Sequence, residues 1–284
     1  MSIRALAFSI VLLGLAPLPG LAPAAMAQQA PAAATLEELL EASALKGIFE
    51  GFGESISSSA ESSGMPFEPA FLAAWTGAAA EVFAPEGLEA DFEARLQGRF
   101  NPAELGELAT FFRSDFGAEV SAIENQVQSL APEDQLAARD EGLALLDELP
   151  ADAARLAAIE EALELVGAEM GRAMLGESMR AMMVGIAMSG AQGEIEVPWD
   201  EIDAQLDLLL PGLDAQVLAA QRGIMAYAYR DFDDAQMEHY LAFLRTEAAR
   251  KFYGVVGVAA GLVIHDAMAR FGEALATRLN RVDV

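Results

Sequence analysis

Cysteine is absent from all 284 residues. That excludes a disulfide, a thiolate metal site, a cysteine nucleophile and the lipid that bacterial lipoproteins attach to a cysteine behind the signal. Histidine is limited to His239 and His265. Open catalytic zinc sites want three protein ligands, and the acids nearest these histidines, Glu238 and Asp266, are their immediate neighbours, which on a helix point in different directions. No metal site is therefore expected. Basic residues are outnumbered, 17 Lys and Arg against 44 Asp and Glu, for a formal charge of −27. Such a field repels phosphate backbones and anionic lipid, so neither nucleic acid nor a charged membrane surface is an expected partner. Phosphate-cradling glycine loops and dinucleotide fingerprints are missing too, and no cofactor is expected. Sustained β-branched alternation, the mark of strands, is found nowhere. What remains is a chain of 54% hydrophobic content, too apolar for disorder and long enough for one large or two smaller domains.

The first 27 residues have the order of a secretory signal: Arg4, an apolar stretch from Ala5 to Leu15, Pro17 and Pro19, then Ala25-Met26-Ala27. Cleavage between Ala27 and Gln28 is expected. The apolar stretch has eleven residues, short of the roughly 20 that span a bilayer, so no stable membrane anchor is expected. No twin-arginine pair precedes it, which points to the general secretory route. The expected location is periplasmic or secreted. Loss of the signal, whose one charge is Arg4, takes the formal charge from −27 to −28.

Behind a short leader, residues 28–34, apolar side chains recur at helical spacing almost to the end. Thr35-Leu-Glu-Glu38 matches a capping box, followed by Leu36, Leu39, Leu40, Ile48, Phe52 and Ile56. A Ser/Gly-rich stretch from Ser57 to Gly64 reads as a break before Pro66. Phe71, Leu72, Trp75 and Val82 form the next face, which Pro85-Glu-Gly87 is expected to end. Leu88, Phe92, Leu96 and Phe100 make one stripe, and Asn101-Pro102 is a helix start. At Ser114 the chain re-caps, because Phe116, Val120, Ile123 and Val127 begin another stripe. A pattern from Leu156 through Met182 and Val184 runs to a second Ser/Gly stretch, Ser189 to Gly193. The expected fold is all-α, a helical bundle.

The second half repeats the first at an offset of 132: Phe100 meets Phe232, Asn101 meets Asp233, Ser57 meets Ser189, and Phe111-Phe-Arg-Ser-Asp115 meets Phe243-Leu-Arg-Thr-Glu247. Pro66-Phe67-Glu68 likewise meets Pro198-Trp199-Asp200. Such repeats imply that each copy leaves an apolar face for the other to cover. The expected organisation is a signal over 1–27, a leader over 28–34, a first helical unit over 35–131, a connecting helix over 132–150 and a second unit over 151–284.

These residues carry a resemblance. Phe100-Asn-Pro-Ala-Glu-Leu…Phe111-Phe-Arg-Ser-Asp-Phe-Gly117 resembles the signature of the exported bacterial family catalogued as domain of unknown function 2059, which has an acidic helix start, an aromatic pair, a Ser-Pro step and a glycine two residues later. Tyr229 to Phe232 and Phe243 to Ala249 look like a second, divergent copy. Asp115 and Glu247 stand where the family has proline, and Ala249 where it has glycine. The resemblance implies an exported helical protein and brings no activity with it.

No catalytic constellation stands out. Ser114 and Thr246 are matched hydroxyls, but a nucleophile needs a base and an oxyanion hole, and neither histidine has a counterpart in the first copy. Helix capping explains Thr35, Ser114 and Thr246. Met170, Met174, Met179, Met182, Met183 and Met188 could offer soft thioethers to Cu(I), although filling irregular helical cores is methionine's commoner use. Carboxylates abound, and a glycosidase-type pair needs two of them converging across a cleft. Phe252 to Ile264 is the most apolar segment behind the signal, thirteen residues long with Gly254, Gly257 and Gly261 inside it. It reads as a buried central helix, too short for a span, and Phe252, Val256, Gly257 and Gly261 are candidates for the wall of an apolar pocket. Three functions follow: a non-enzymatic binding or interaction module with an unknown protein partner, a carrier of an apolar small molecule or lipid between the two units, and, behind these, an acid/base hydrolase.

Overall fold

Capping chemistry fixes where the helices begin. Thr35 Oγ1 accepts from Glu38 N while the Glu38 carboxylate accepts from Thr35 N, at 3.2 and 3.0 Å, so two otherwise orphaned amides are satisfied reciprocally. Asn101 with Glu104 and Asp233 with Gln236 form the same box. Prolines at the first helical position, Pro69, Pro85 and Pro132, start three more helices at no cost in hydrogen bonds, and Pro102 follows Asn101 in the same role.

The computed structural model describes residues 34–43, 45–62, 67–150, 153–190 and 199–282; the expected signal and its expected cleavage point, Pro66 and Pro198 lie outside them. Among the described residues there are twelve helices and no strand: α1 (Leu36–Ala42), α2 (Phe52–Ser62), α3 (Pro69–Val82), α4 (Pro85–Leu96), α5 (Pro102–Phe112), α6 (Asp115–Gln128), α7 (Pro132–Asp147), α8 (Ala154–Leu165), α9 (Ala168–Gly190), α10 (Trp199–Ala228), α11 (Asp234–Leu244) and α12 (Glu247–Val282). The protein is an all-α helical bundle. Residues 33–284 form one compact unit, and a single hydrophobic core draws on both halves, from Leu39, Phe83, Leu108 and Phe112 to Tyr240, Leu244, Phe252 and Phe271.

Several boundaries differ from the sequence reading. The first apolar run is two helices, because the chain turns at Gly47 and Gly51, both at positive φ of 82° and 74°. Ser57 to Ser62 is helical, and hydroxyls there bond back onto the helix, Ser59 to Ile56 O at 2.7 Å. Pro85-Glu-Gly87 opens α4 instead of ending α3. The run from Leu156 to Val184 breaks at Gly167, φ 79°, into α8 and α9.

The offset of 132 recurs in the helix boundaries. It relates both ends of α5 to those of α11, the start of α6 to that of α12, and the end of α4 to that of α10. The second half fuses what the first keeps apart: α10 runs through Pro211 where α3 and α4 are separate, and α12 is continuous where α6 and α7 are not. Contacts are reciprocal. α12 packs on α3 and α4, while α10 packs on α7 and α6. Phe111 stacks on its own counterpart Phe243, ring centroids 3.5 Å apart and 2° from parallel. Arg113 pairs with Glu38 of α1 at 3.0 Å, and its counterpart Arg245 with Glu161 of α8. A residue meeting its own counterpart is what an isologous two-fold interface produces, here within one chain.

The segment Phe252 to Ile264 belongs to a helix of 36 residues, α12, which by length and composition alone could cross a bilayer, a test that core helices also pass. It is central on one face only. Phe252, Val256, Ala259, Val263 and Phe271 are buried, whereas Val258 and Leu262 are 40% and 38% exposed. A Cβ added at Gly254 would meet nothing within 4 Å. Gly254→Ala should therefore raise stability by about 1 kcal/mol, the ordinary cost of a helix-interior glycine, read as a higher urea midpoint.

Candidate functional site

On α6 the apolar stripe Phe116, Val120, Ile123 and Val127 contains one acid, Glu124, four residues past Val120 and three before Val127. A carboxylate on a core-facing stripe must find partners or shift its protonation. Glu124 Oε1 accepts from Tyr229 Oη at 2.5 Å and from Tyr240 Oη at 3.0 Å. Tyr229 comes from the turn behind α10 and Tyr240 from α11. A third phenol, Tyr253 of α12, adjoins Tyr240, so three of the chain's four tyrosines gather about one carboxyl. Arg155 of α8 fixes the turn that holds Tyr229, donating to the carbonyls of Phe232, at 3.0 Å, and of Tyr229.

Burial raises the Glu124 carboxyl above its ordinary 4.5, opposed by the two phenol hydrogen bonds, which favour the anion. Burial, followed by the nearby Glu124 charge, drives all three phenols upward, so they remain neutral donors. In the unfolded chain Glu124 titrates near 4.5; in the folded chain it holds its proton to higher pH. Stability from this group is thus full below the unfolded value and is lost as pH rises through the folded one. Glu124→Gln keeps an acceptor for the phenols and removes the charge. Its stability relative to the parent should grow as pH rises above about 4.5 and level once Glu124 ionises in the folded chain. Urea unfolding at stepped pH checks this, and a pH-independent gap would contradict it.

The cluster lies on the wall of a cavity of about 560 Å³, within the range of roughly 300–1,000 Å³ usual for small-molecule sites. The rest of the wall is mostly apolar, with Leu163, Val166, Ile224, Met225, Ala260 and Ile264 prominent, and its polar members besides the cluster are Gln128, Ser178 and Gln221. Among the described lining residues Glu124 is the one acid, and there is no Lys, Arg or His. A glycosidase-type pair would need a second carboxylate there.

Of the sequence candidates for the wall, Gly257 and Gly261 line the cavity. Phe252 and Val256 do not; they turn into the core, 0% and 7% exposed, because α12 presents them on its opposite, inward face. A Cβ at Gly261 would fall 1.9 Å from Met174 Sδ, so this glycine makes room for the methionine of α9. A Cβ at Gly257 would meet nothing within 4 Å. Met182 packs on the core, and the side chains of Met170 and Met188 lie outside the described set. Ser114 Oγ accepts from Gly117 N at 3.0 Å and donates to Phe111 O at 2.6 Å, and Thr246 Oγ1 accepts from Ala249 N at 3.1 Å, so each caps the helix behind it. His239 is exposed and stacks on Phe116, centroids 4.4 Å apart. No group of three or more His, Cys, Asp or Glu side chains among the described residues could hold a metal.

The cluster, built from both halves, forms at only one of the two positions that the offset relates. At the offset of 132, Tyr240 corresponds to Leu108, Tyr253 to Ser121, Tyr229 to Gln97 and Glu124 to Val256. Leu108 and Val256 are buried apolar residues, so the helical framework is satisfied at the related position without a carboxyl or a phenol. Comparison with protein-family models, curated proteins and solved structures finds no match.

Proposed function

We propose that this protein is an exported, non-enzymatic binding protein that carries an apolar small molecule or lipid in the cavity lined by α6 and α8 to α12. The carrying observation is the cavity itself: about 560 Å³, with a mostly apolar wall and one polar cluster at Glu124. Ligand sites commonly combine an apolar lining with a few convergent polar groups, and helical bundles build them between helices. The signal-like first 27 residues and the resemblance to the family of domain of unknown function 2059 support export, with periplasmic or secreted delivery. Native mass spectrometry of protein purified from its own compartment tests the reading. A bound species of constant mass, retained at low collision energy, is expected; preparations that are repeatedly ligand-free would contradict it.

A further inference from the structure

We propose that the cavity selects an apolar amine, whose ammonium group pairs with the Glu124 carboxylate inside the ring of Tyr229, Tyr240 and Tyr253. The inference rests on the apolar-ligand reading above and adds the chemistry of the polar end. Three features of the wall carry it. Glu124 is the one formally charged group among the described lining residues, so a cationic ligand would complete a buried pair that the protein leaves half made. Both phenol bonds converge on Oε1, and among the described residues Oε2 has no hydrogen-bond donor. Three phenol rings border the same space, with Tyr229 and Tyr240 centroids 5.2 Å apart, and aromatic faces attract ammonium groups through their quadrupoles. An alkyl carboxylate would meet the opposite situation, a like charge with no Lys, Arg or His to offset it. At the offset-related positions Leu108 and Val256 are buried and apolar, so the framework there is met without a carboxyl.

Titration calorimetry with n-octylamine, n-octanol and sodium octanoate at pH 8 and about 0.15 M salt, where the Debye length is about 8 Å, separates the alternatives. Octylammonium should bind at least ten-fold more tightly than octanol, and octanoate more weakly than either. Glu124→Gln should remove the advantage of the amine and leave octanol affinity within about two-fold. A second measurement does not depend on that variant. With the parent protein, amine affinity should fall as pH is lowered from 8 and Glu124, whose carboxyl burial shifts upward, takes up its proton, while octanol affinity stays level. The three phenols stay neutral across this range, Gln128, Ser178 and Gln221 do not titrate, and the amine stays charged, so Glu124 is the group that responds. Octanol bound as tightly as the amine, octanoate bound best, or an amine advantage that survives Glu124→Gln or the pH change would overturn the inference and leave the apolar cavity standing. Binding of none of the three would overturn both.

Discussion

Gly142→Leu should cost most or all of the native stability. The residue lies where α7 crosses α10, and a Cβ there would fall 1.8 Å from Gly223 O and 2.9 Å from Tyr227 N. The reciprocal Cβ at Gly223 would fall 2.4 Å from Arg139 O. All of these are main-chain atoms in helices, so no side chain can rotate away, and the helices must separate. Overpacking a well-filled interior costs about 1–3 kcal/mol where neighbours can adjust. Gly142→Ala belongs at the upper end of that range and leucine beyond it, against a total stability of roughly 5–15 kcal/mol. Gly106→Ala is the control, because a Cβ there meets nothing within 4 Å. Urea unfolding should show a near-parental midpoint for the control and a sharply lowered or absent cooperative transition for Gly142→Leu. The effect reaches the cavity as well, since α10 supplies Gln221, Ile224, Met225 and Ala228 to its wall.

Gly257→Leu should do the reverse, abolishing ligand binding while sparing the fold. Gly257 lines the cavity and the position of its missing Cβ is open, so a leucine fills volume that a ligand would use. The substitution also removes a helix-interior glycine, a gain of about 1 kcal/mol against which any new contact is set. Loss of affinity by about 100-fold is expected, about 2.8 kcal/mol at 1.4 kcal/mol per factor of ten. Fluorescence titration with the neutral apolar probe N-phenyl-1-naphthylamine reads it, alongside an unfolding midpoint at or above the parental one. Lost binding with lost stability would mean that the leucine disturbs α12 itself.

The all-α architecture was legible because caps and apolar spacing agree. Asn101 and Asp233 start their helices by the same reciprocal bonds, and the stripe from Leu88 to Leu96 is the buried face of α4. Breaks were harder. Serine reads as a loop former, yet Ser58 and Ser59 sit inside α2 because their hydroxyls can bond back to the preceding turn. Gly47 and Gly167 end runs that periodicity alone carries across, because positive φ leaves no mark in an apolar count. The wall was half legible. Gly257 and Gly261 stood out as glycines in an apolar helix, whereas Phe252 and Val256 share its sequence and face the other way. Glu124 left one trace, a carboxylate on the stripe of Val120 and Val127. Tyr229, Tyr240 and Tyr253 left none, since they come from separate elements and only the tertiary fold brings the hydroxyls of the first two to one carboxyl and Tyr253 beside Tyr240.

The most direct test of the cavity is where a ligand registers. Methionine methyl resonances supply the map: Met174 and Met225 line the cavity, while Met237 and Met268 lie in the core, 2% and 8% exposed, away from its wall. With carbon-13 methyl labelling and assignment by single substitution, titration with n-octanol should move the Met174 and Met225 signals saturably and leave those of Met237 and Met268 in place. Signals at Met174 and Met225 that stay fixed, or saturable shifts that appear instead at Met237 and Met268, would contradict a ligand held between α6 and α8 to α12.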